Sequence, residues 1–455
     1  MAQASRTADL TSGPMLKKII LFSLPLAASS ILQLLFNAAD VIVVGRFAGS
    51  AALAAVGSNG ALINLLVNLF VGLSLGANVV AARCFGAKDE RGVEQTVHTA
   101  VTLGVCSGIL LAGIGFFAAR GLLELMSCPE DVIELSTLYL KIYFIGMPMS
   151  MLYNFSSALL RAVGDTKRPL ICLASAGVIN VVLNLIFVIV FHMSVAGVAL
   201  ATIISQAVSA VMVTIMLMKE QGALHLDPHK LGLHKGVLMQ ILRIGLPAGL
   251  QSTVFSLSNV VIQSSINSFG SIVVAGSSAA GNIEGFVYTG MNAFAQAAVT
   301  FTSQNIGARK YENLDRVMRN CILCAAVVGL ILGGGAALAG GQLLRFYSTD
   351  AAVIAAGLER LRVVCGAYLL CGMMDVLASS LRGLGYSVLP MVVSLIGSCL
   401  LRLVWIVTIF PLNRVPFMLY ISYPISWLLT AAVHLICLMV VRRKLRTQTA
   451  AVQMA

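Results

Sequence analysis

This sequence has little charge. Only 11% of its 455 residues are charged and 58% are hydrophobic, with a mean hydropathy of +0.93. A water-soluble domain holds roughly 25% charged residues to solvate its surface, so the shortage excludes a soluble domain of this length and fits a surface that faces lipid. The apolar stretches also lack the short alternating pattern of a closed barrel, the other architecture that satisfies backbone polar groups in a bilayer. Nucleotide chemistry is missing as well. The glycine run Gly333-Gly334-Gly335 has no following Lys-Ser or Lys-Thr, which a phosphate-binding loop requires, and no ATPase domain accompanies the helices. The ten cysteines are scattered through apolar segments, where a thiol behaves as a small hydrophobe. Cys321-x-x-Cys324 stands without a second pair, so it reads as packing and no cofactor is implied. Neither a nucleophile constellation nor a compact Cys-His cluster marks the chain as an enzyme.

What the sequence does have is length in its apolar runs. Residues 61–82 contain no charged side chain, nor do residues 169–218. The second run exceeds one crossing at about 20 residues and reads as two helices with a turn near His192. The same reading along the whole chain gives twelve spans, near 17–44, 54–82, 93–118, 133–158, 169–190, 196–218, 237–266, 277–305, 315–340, 352–379, 388–410 and 416–440. The first run follows Lys17 and Lys18 and continues to Ala39, longer than a signal core and without a small-residue cleavage pattern, so it is expected to be the first span. The fold class is then an all-α integral membrane protein. It comprises a tail over 1–16, a six-helix bundle over 17–218, a linker over 219–236, a second six-helix bundle over 237–440 and a basic tail over 441–455.

The net charge of +12 has to be placed on that frame. With both termini cytoplasmic, most of the 30 Lys and Arg residues fall on the inner side, among them Lys17, Lys18, Arg83, Lys88, Arg161, Lys167, Arg168, Arg309, Lys310, Arg442, Arg443 and Lys444. The outer side holds Arg46, Arg120, Arg345, Arg360, Arg362 and Arg414. This bias sets orientation by the positive-inside rule. Because the charges are spread over short loops and form no stripe, nucleic acid is excluded as the expected partner. The histidines at 225, 229 and 234 in the linker lack cysteines or paired carboxylates, and that segment reads as a tether between two moving parts.

The halves match in register. Arg161-Ala-Val-Gly-Asp-Thr-Lys-Arg-Pro169 meets Arg382-Gly-Leu-Gly-Tyr-Ser-Val-Leu-Pro390 at an offset of 221, as do Gly86-Ala-Lys88 with Gly307-Ala-Arg309 and Lys141 with Arg362. Ser23-Leu-Pro25 meets Gly245-Leu-Pro247 at an offset of 222. Six crossings return the chain to its starting side, so the halves are parallel repeats about the membrane normal, an arrangement used by transporters.

Several of these segments resemble the MATE family, the multidrug and toxic compound extrusion transporters. The resemblance lies in Ser23-Leu-Pro25 followed by Asn37-Ala-Ala-Asp40-Val-Ile-Val-Val-Gly45, in Gly72-Leu-Ser-Leu-Gly76, in Leu160-Arg-Ala-Val-Gly-Asp165 with Pro169, and in Asn180-x-x-x-Asn184. In the second half it lies in Gly245-Leu-Pro247, Thr302-Ser-Gln-Asn-Ile-Gly-Ala308 and Leu381-Arg-Gly-Leu-Gly385 with Pro390. It covers nearly the whole chain. What it implies is a V-shaped pair of six-helix bundles in a bacterial inner membrane, functional as a monomer. Such a protein exports amphipathic, often cationic, compounds by Na+ or H+ antiport with alternating access.

Intramembrane acids are where coupling is expected, because an ionised carboxylate at mid-membrane costs roughly 2.5–3.5 kcal/mol on insertion scales. Asp40 lies roughly 9 Å along the helix from Arg46 at 1.5 Å per residue. It is either an interfacial acid paired with that arginine or a cation or proton site, and the resemblance favours the second. Asn180 and Asn184 share a helix face at i, i+4 and offer amide oxygens for Na+, or a hydrogen-bond network that reports protonation. Interhelical polar packing is the alternative. Some proton-linked MATE proteins have a second aspartate where this chain has Asn184. Glu284 and Asp375 are the deep acids of the second half, with Arg382 and Arg402 as possible salt-bridge partners for Asp375. The NorM-like branch places an acid on its seventh span and this chain has none there, which leaves Glu284 as the local substitute.

Pro25, Pro148 and Pro247 lie inside expected helices and favour kinks. Pro25 and Pro247 are candidate hinges. Nineteen methionines and nineteen phenylalanines suit either membrane packing or a soft cavity wall. A substrate cavity is implied by the resemblance, with Met147, Met149, Tyr153, Phe255, Phe286, Tyr288, Met291 and Phe294 as weak candidates. Lys141 and Arg362 read as side chains snorkelling toward headgroups, with gate pairing to nearby acids the alternative. Apart from efflux, a flippase for lipid-linked oligosaccharides or other lipids remains open, since related superfamilies share duplicated architectures. A membrane enzyme or passive channel is the third reading.

Overall fold

A computed structural model gives the structure of the chain and describes residues 8–126 and 128–454. Of the amino-terminal tail expected over 1–16, residues 1–7 lie outside the described residues. No strand occurs among the described residues, and the long apolar runs become long helices. Among the described residues twelve long helical segments follow one another. These are α1 (Met15–Phe47), α2 (Ser50–Gly86), α3 (Glu90–Leu125), the bent α4 (Glu130–Ile145 with Met147–Ala162), α5 (Lys167–Val190) and α6 (Ser194–Met218). The series continues with α7 (Lys235–Asn267), α8 (Ser271–Gly307), α9 (Asn313–Leu338), α10 (Ala351–Gly383), α11 (Val388–Leu412) and α12 (Pro416–Leu445).

Among the described residues nine helices are long and apolar enough to cross a membrane, and α4 makes ten if its bent pair is one span. The remaining two, α7 and α8, are 33 and 37 residues long but more polar. Their polar side chains, including Gln251, Glu284, Gln304 and Asn305, are buried inside the protein. Large apolar side chains such as Phe117 and Val407 instead point outward, as lipid requires. The chain is thus a multi-pass helical membrane protein.

The bend of 47° in α4 falls at Gly146, just before Pro148. A proline there lacks the N–H that would bond the carbonyl of Phe144, and its ring crowds that turn. Pro25 and Pro247 lie inside continuous helices.

Duplication is visible in the backbone. Left-handed φ angles recur at Gly49 and Gly270 (90° and 89°), Lys88 and Arg309 (55° and 56°), and Gly164 and Gly385 (88° and 92°), each pair 221 residues apart. Since only a few per cent of non-glycine residues adopt this region, the Lys88 and Arg309 match shows that the α2–α3 and α8–α9 turns keep one conformation.

The described residues form two compact units. The first comprises Ala28–Thr253 with residues 8–11 and Gly307–Arg309; the second comprises Ser12–Ala27, Val254–Ile306 and residues 310–454. The chain passes from one unit to the other within α1, after Ala27, and within α7, after Thr253. Within the first unit the beginning of α7 packs backbone to backbone on α2. A Cβ added to Gly72 would lie 2.3 Å from the Gly249 amide nitrogen, and one on Gly249 2.3 Å from the Leu69 carbonyl oxygen, so only glycines allow this approach. Within the second unit the beginning of α1 packs on α8, with Phe22 edge-on to Phe301 at 5.5 Å and the Ser23 hydroxyl donating to the Ala293 carbonyl at 3.4 Å.

The linker is fastened to the first unit along the start of α3. Lys230 Nζ donates to Glu94 at 2.9 Å, the Asp227 amide donates to His98 Nε2 at 3.1 Å, and the His234 amide donates to Thr99 Oγ1 at 3.2 Å. The Glu94 carboxylate beside it raises the Lys230 ammonium above its usual pKa, and the His229 amide donating to Asp227 holds that carboxyl below its usual range.

Candidate functional site

The polar centre of the first unit is built where α1, α5 and α6 meet. Gly177 on α5 faces the Phe36 ring on α1 so closely that an added Cβ would fall 1.8 Å from a ring carbon. That contact brings α5 against α1 one turn before Asp40. Asp40 is buried, as are Asn180 and Asn184. The regular α-helical ladder of α5 ends at Leu185 and gives way to a π-helical turn, Ile186–Val190, a distortion frequent at functional sites.

Asn184 Nδ2 donates to Asp40 Oδ1 and also to Asn180 Oδ1, the latter at 3.2 Å. Asp40, expected as an intramembrane acid, and Asn180 and Asn184, expected from their shared helix face, are therefore brought together. Thr202 Oγ1 on α6 lies 3.5 Å from Asp40 Oδ2 and 2.9 Å from the Val198 carbonyl. One hydroxyl has one proton, and the shorter contact takes it, so Asp40 Oδ2 is weakly served. Asn184 Oδ1 is buried and has no hydrogen-bond partner among the described residues. The ion pairs found among the described residues do not join Asp40 to Arg46, whose side chain is exposed.

The centre thus offers one carboxylate and several neutral oxygens in a place shielded from lipid and water. Such a donor set suits a hard cation or a proton, and suits thiophilic metals poorly. The orphaned amide oxygen is the specific mark of fit. No group of three His, Cys, Asp or Glu residues positioned for a metal occurs among the described residues, so an ion here would rely on amide and hydroxyl oxygens. Thr202 and the stacked pair Tyr139 and Tyr143, with ring centroids 6.0 Å apart and electrostatic reach to Asp40, escaped the sequence reading.

The deep acids of the second unit are engaged differently. Arg360 grips Glu284 through both oxygens, Nε to Oε1 at 2.7 Å and Nη2 to Oε2 at 2.8 Å, and its Nη1 reaches the Ser277 hydroxyl at 2.5 Å. Glu284 is therefore one half of a buried ion pair, and Arg360, expected as an outer-side charge, is the other. Asp375 is hydrogen-bonded to the Tyr288 hydroxyl and lies in the field of Arg382. The chain of contacts continues along α8, with Asn292 Nδ2 donating to Tyr288 Oη at 3.0 Å and Gln296 Nε2 donating to Asn292 Oδ1 at 3.1 Å.

The proposed cavity residues fall into different settings. Met147 is fully buried in the first unit's core with Leu111 and Phe144. Met291 is fully buried in the second unit's core, its sulfur filling the space left by Gly329 and Gly372. Tyr153 is half-buried and its hydroxyl donates to the Pro169 carbonyl at 3.1 Å. Met149, Phe286 and Tyr288 are exposed, and Phe255 and Phe294 are half-buried. Lys141 is half-buried with its ammonium over the Phe116 ring at 5.3 Å, while Arg362 is exposed.

A buried polar ladder on α11 and α12 also escaped the sequence reading. Ser394 meets His434 Nε2 at 3.1 Å, Ser398 meets Thr430 at 3.2 Å, and Arg402 Nε donates to Ser426 Oγ at 2.8 Å. Each rung lies four residues from the next on both helices, which gives an antiparallel seam. The spacing of 394, 398 and 402 against 426, 430 and 434 was its only signal.

Fold and site together define a duplicated, multi-pass helical membrane protein with a shielded carboxylate and amide centre. The MatE family model matches the chain twice, over residues 25–186 and 247–408, and the chain belongs to the MATE family. Among curated relatives, it is 30% identical over 394 residues to the probable multidrug resistance protein YpnP of Bacillus subtilis, covering 87% of this chain and 88% of that protein. It is 29% identical over 386 residues to the probable multidrug resistance protein YoeA of the same organism, covering 83% of each. Among solved structures, a crystal structure of MATE in complex with MaL6 superposes with a TM-score of 0.91 at 22% identity, covering 98% of this chain and 100% of that one. At that identity the likeness is one of fold.

Proposed function

We propose that this chain is a secondary exporter that exchanges small amphipathic or cationic molecules for an inward-moving cation, Na+ or H+, with Asp40 as the coupling group. The observation that carries this reading is the buried Asp40 carboxylate, served by Asn184 on one oxygen and weakly on the other. A carboxylate at this depth is expensive to keep ionised and unpaired, so a cycle that fills it with a cation or proton, then empties it, uses the cost. When Asp40 is ionised, the Asn184 amide donates to it. The second Asp40 oxygen, the oxygens of Asn180 and Asn184, and the Thr202 hydroxyl would hold Na+. When Asp40 is protonated it becomes a donor, and rotating the Asn184 amide by half a turn presents the unpartnered Oδ1 as acceptor. One amide therefore serves both states.

Drug export is supported by the likeness to relatives known as probable multidrug resistance proteins and by the absence of an energy-supplying nucleotide motif in the sequence. The same grounds support a transporter that is no enzyme. Placement in a bacterial inner membrane with both termini cytoplasmic rests on the distribution of Lys and Arg and on the bacterial source of those relatives. A monomer suffices, because Asp40, Asn180, Asn184 and Thr202 come from one chain.

The test is efflux of a fluorescent lipophilic cation from reconstituted vesicles under separate Na+ and H+ gradients, with wild type and Asp40→Asn. Wild type is expected to respond to one gradient and the variant to neither. Undiminished gradient-driven export by the variant sinks the reading. Lipid translocation indifferent to both gradients would favour a flippase.

A further inference from the structure

The group that the coupling reading leaves unused is Arg402, which sits inside the second unit on α11. Its residue exposure is 3%. The Tyr423 ring covers one face of the guanidinium at 4.2 Å, and Trp427, itself stacked on Tyr368 at 5.3 Å, stands 5.7 Å away. Nε is spent on Ser426. Nη2 is buried and has no acceptor among the described residues. The titratable groups acting on it are Tyr423, Cys371, Cys399 and Tyr368, none of them a carboxylate. Among the deep acids of this unit, Glu284 is paired with Arg360, and Asp375 is hydrogen-bonded to Tyr288 in the field of Arg382.

Arginine stays charged in proteins, and a buried charge calls for a counter-charge or an acceptor on every donor. Aromatic faces satisfy the cation from above but accept nothing from the in-plane N–H groups. We propose that Arg402 is the binding point of a monovalent anion inside the second unit, either a carboxylate or a halide. The unpartnered Nη2 of the planar guanidinium presents N–H donors from which a carboxylate oxygen or a halide would accept. Tyr368, Tyr423 and Trp427 supply the apolar wall against which an organic carboxylate would lie. The site is separate from the Asp40 centre and stands whether or not that centre couples transport.

The chain has two tryptophans, Trp405 and Trp427. Trp405→Phe therefore leaves Trp427 as a reporter next to the guanidinium. In purified full-length protein, iodide is expected to quench this reporter saturably. Competition by chloride alone identifies a halide site, and competition by cyclohexanecarboxylate identifies a carboxylate site. Adding Arg402→Met should abolish the saturable part, and Arg402→Lys, which keeps charge but loses the planar fork, should weaken it about tenfold. Linear, unsaturable quenching that is the same with and without Arg402→Met overturns the proposal and leaves Arg402 as a cation held by its rings. Iodide affinity unchanged in Arg402→Lys overturns the guanidinium donor geometry on which it rests.

Discussion

Asn184 and Asp40, 144 positions apart in sequence, share a hydrogen bond in which the amide serves the carboxylate and keeps its own carbonyl oxygen buried, with no partner among the described residues. That single side chain links the acid on α1 to the polar face of α5. Asn184→Ala removes both the donor and the spare acceptor. A hydrogen bond to a charged group contributes about 1.5–3 kcal/mol, so cation-dependent efflux should fall by about ten- to a hundredfold at limiting cation. Efflux titrated against cation concentration checks it, and a shifted half-saturation with folded protein is the expected result.

Gly177 tests whether the approach of α5 to α1 builds the site. Gly177→Ala places a methyl group inside the Phe36 ring, and overpacking of this kind costs about 1–3 kcal/mol. The variant should lose thermal stability and cation response together, although it touches none of the proposed ligands. Phe36→Ala added to it should restore part of both. A double-mutant cycle on unfolding temperature and on efflux measures that recovery.

The bridge between Glu284 and Arg360 should matter for stability. Removing one partner of a buried pair leaves an uncompensated charge and costs about 3–5 kcal/mol. Glu284→Gln should therefore be strongly destabilising, whereas the pair Glu284→Leu with Arg360→Met should recover much of the loss. Unfolding in detergent measures both. If Glu284→Gln unfolds like wild type, the bridge is not a structural tie.

The docked linker has a pH window whose sign follows from its ion pairs. Lys230 is raised above its usual 10.5, so its contribution is present at lower pH and is lost as pH rises through the raised value. Asp227 is lowered below its usual 3.8, so its contribution is present above that value and is lost as pH falls through the lowered one. Hydrogen exchange of residues 225–234, corrected for intrinsic rates, should show protection across the range between and opening at both extremes.

Much of the architecture was legible because lipid imposes simple rules. Uncharged runs marked the helices, and Pro148 marked the bend in α4. Lys88 and Arg309, matched by register, share the left-handed turn. The two units were less legible. Gly72, Gly76, Gly245 and Gly249 announce close packing, but helical spacing does not say which helix each one meets, so the approach of α7 to α2 could not be read from the glycines alone. Within the candidate site, Asn180 and Asn184 were visible through their four-residue spacing. Thr202 was not, because a single hydroxyl in an apolar helix has no periodic partner. Arg360 was read as an outer charge from its place in the span order, because its partner Glu284 is 76 residues away in sequence. The seam of Ser394, Ser398 and Arg402 needed α12 to give it meaning.

The measurement that bears most directly on coupling at Asp40 is cation flux driven by cargo. Vesicles holding wild-type protein and an outward cargo gradient should take up radiolabelled sodium, or acidify inside, only while cargo leaves. Asp40→Asn should abolish that flux while the protein remains folded. Cargo-driven cation flux of wild-type size in Asp40→Asn would contradict the account.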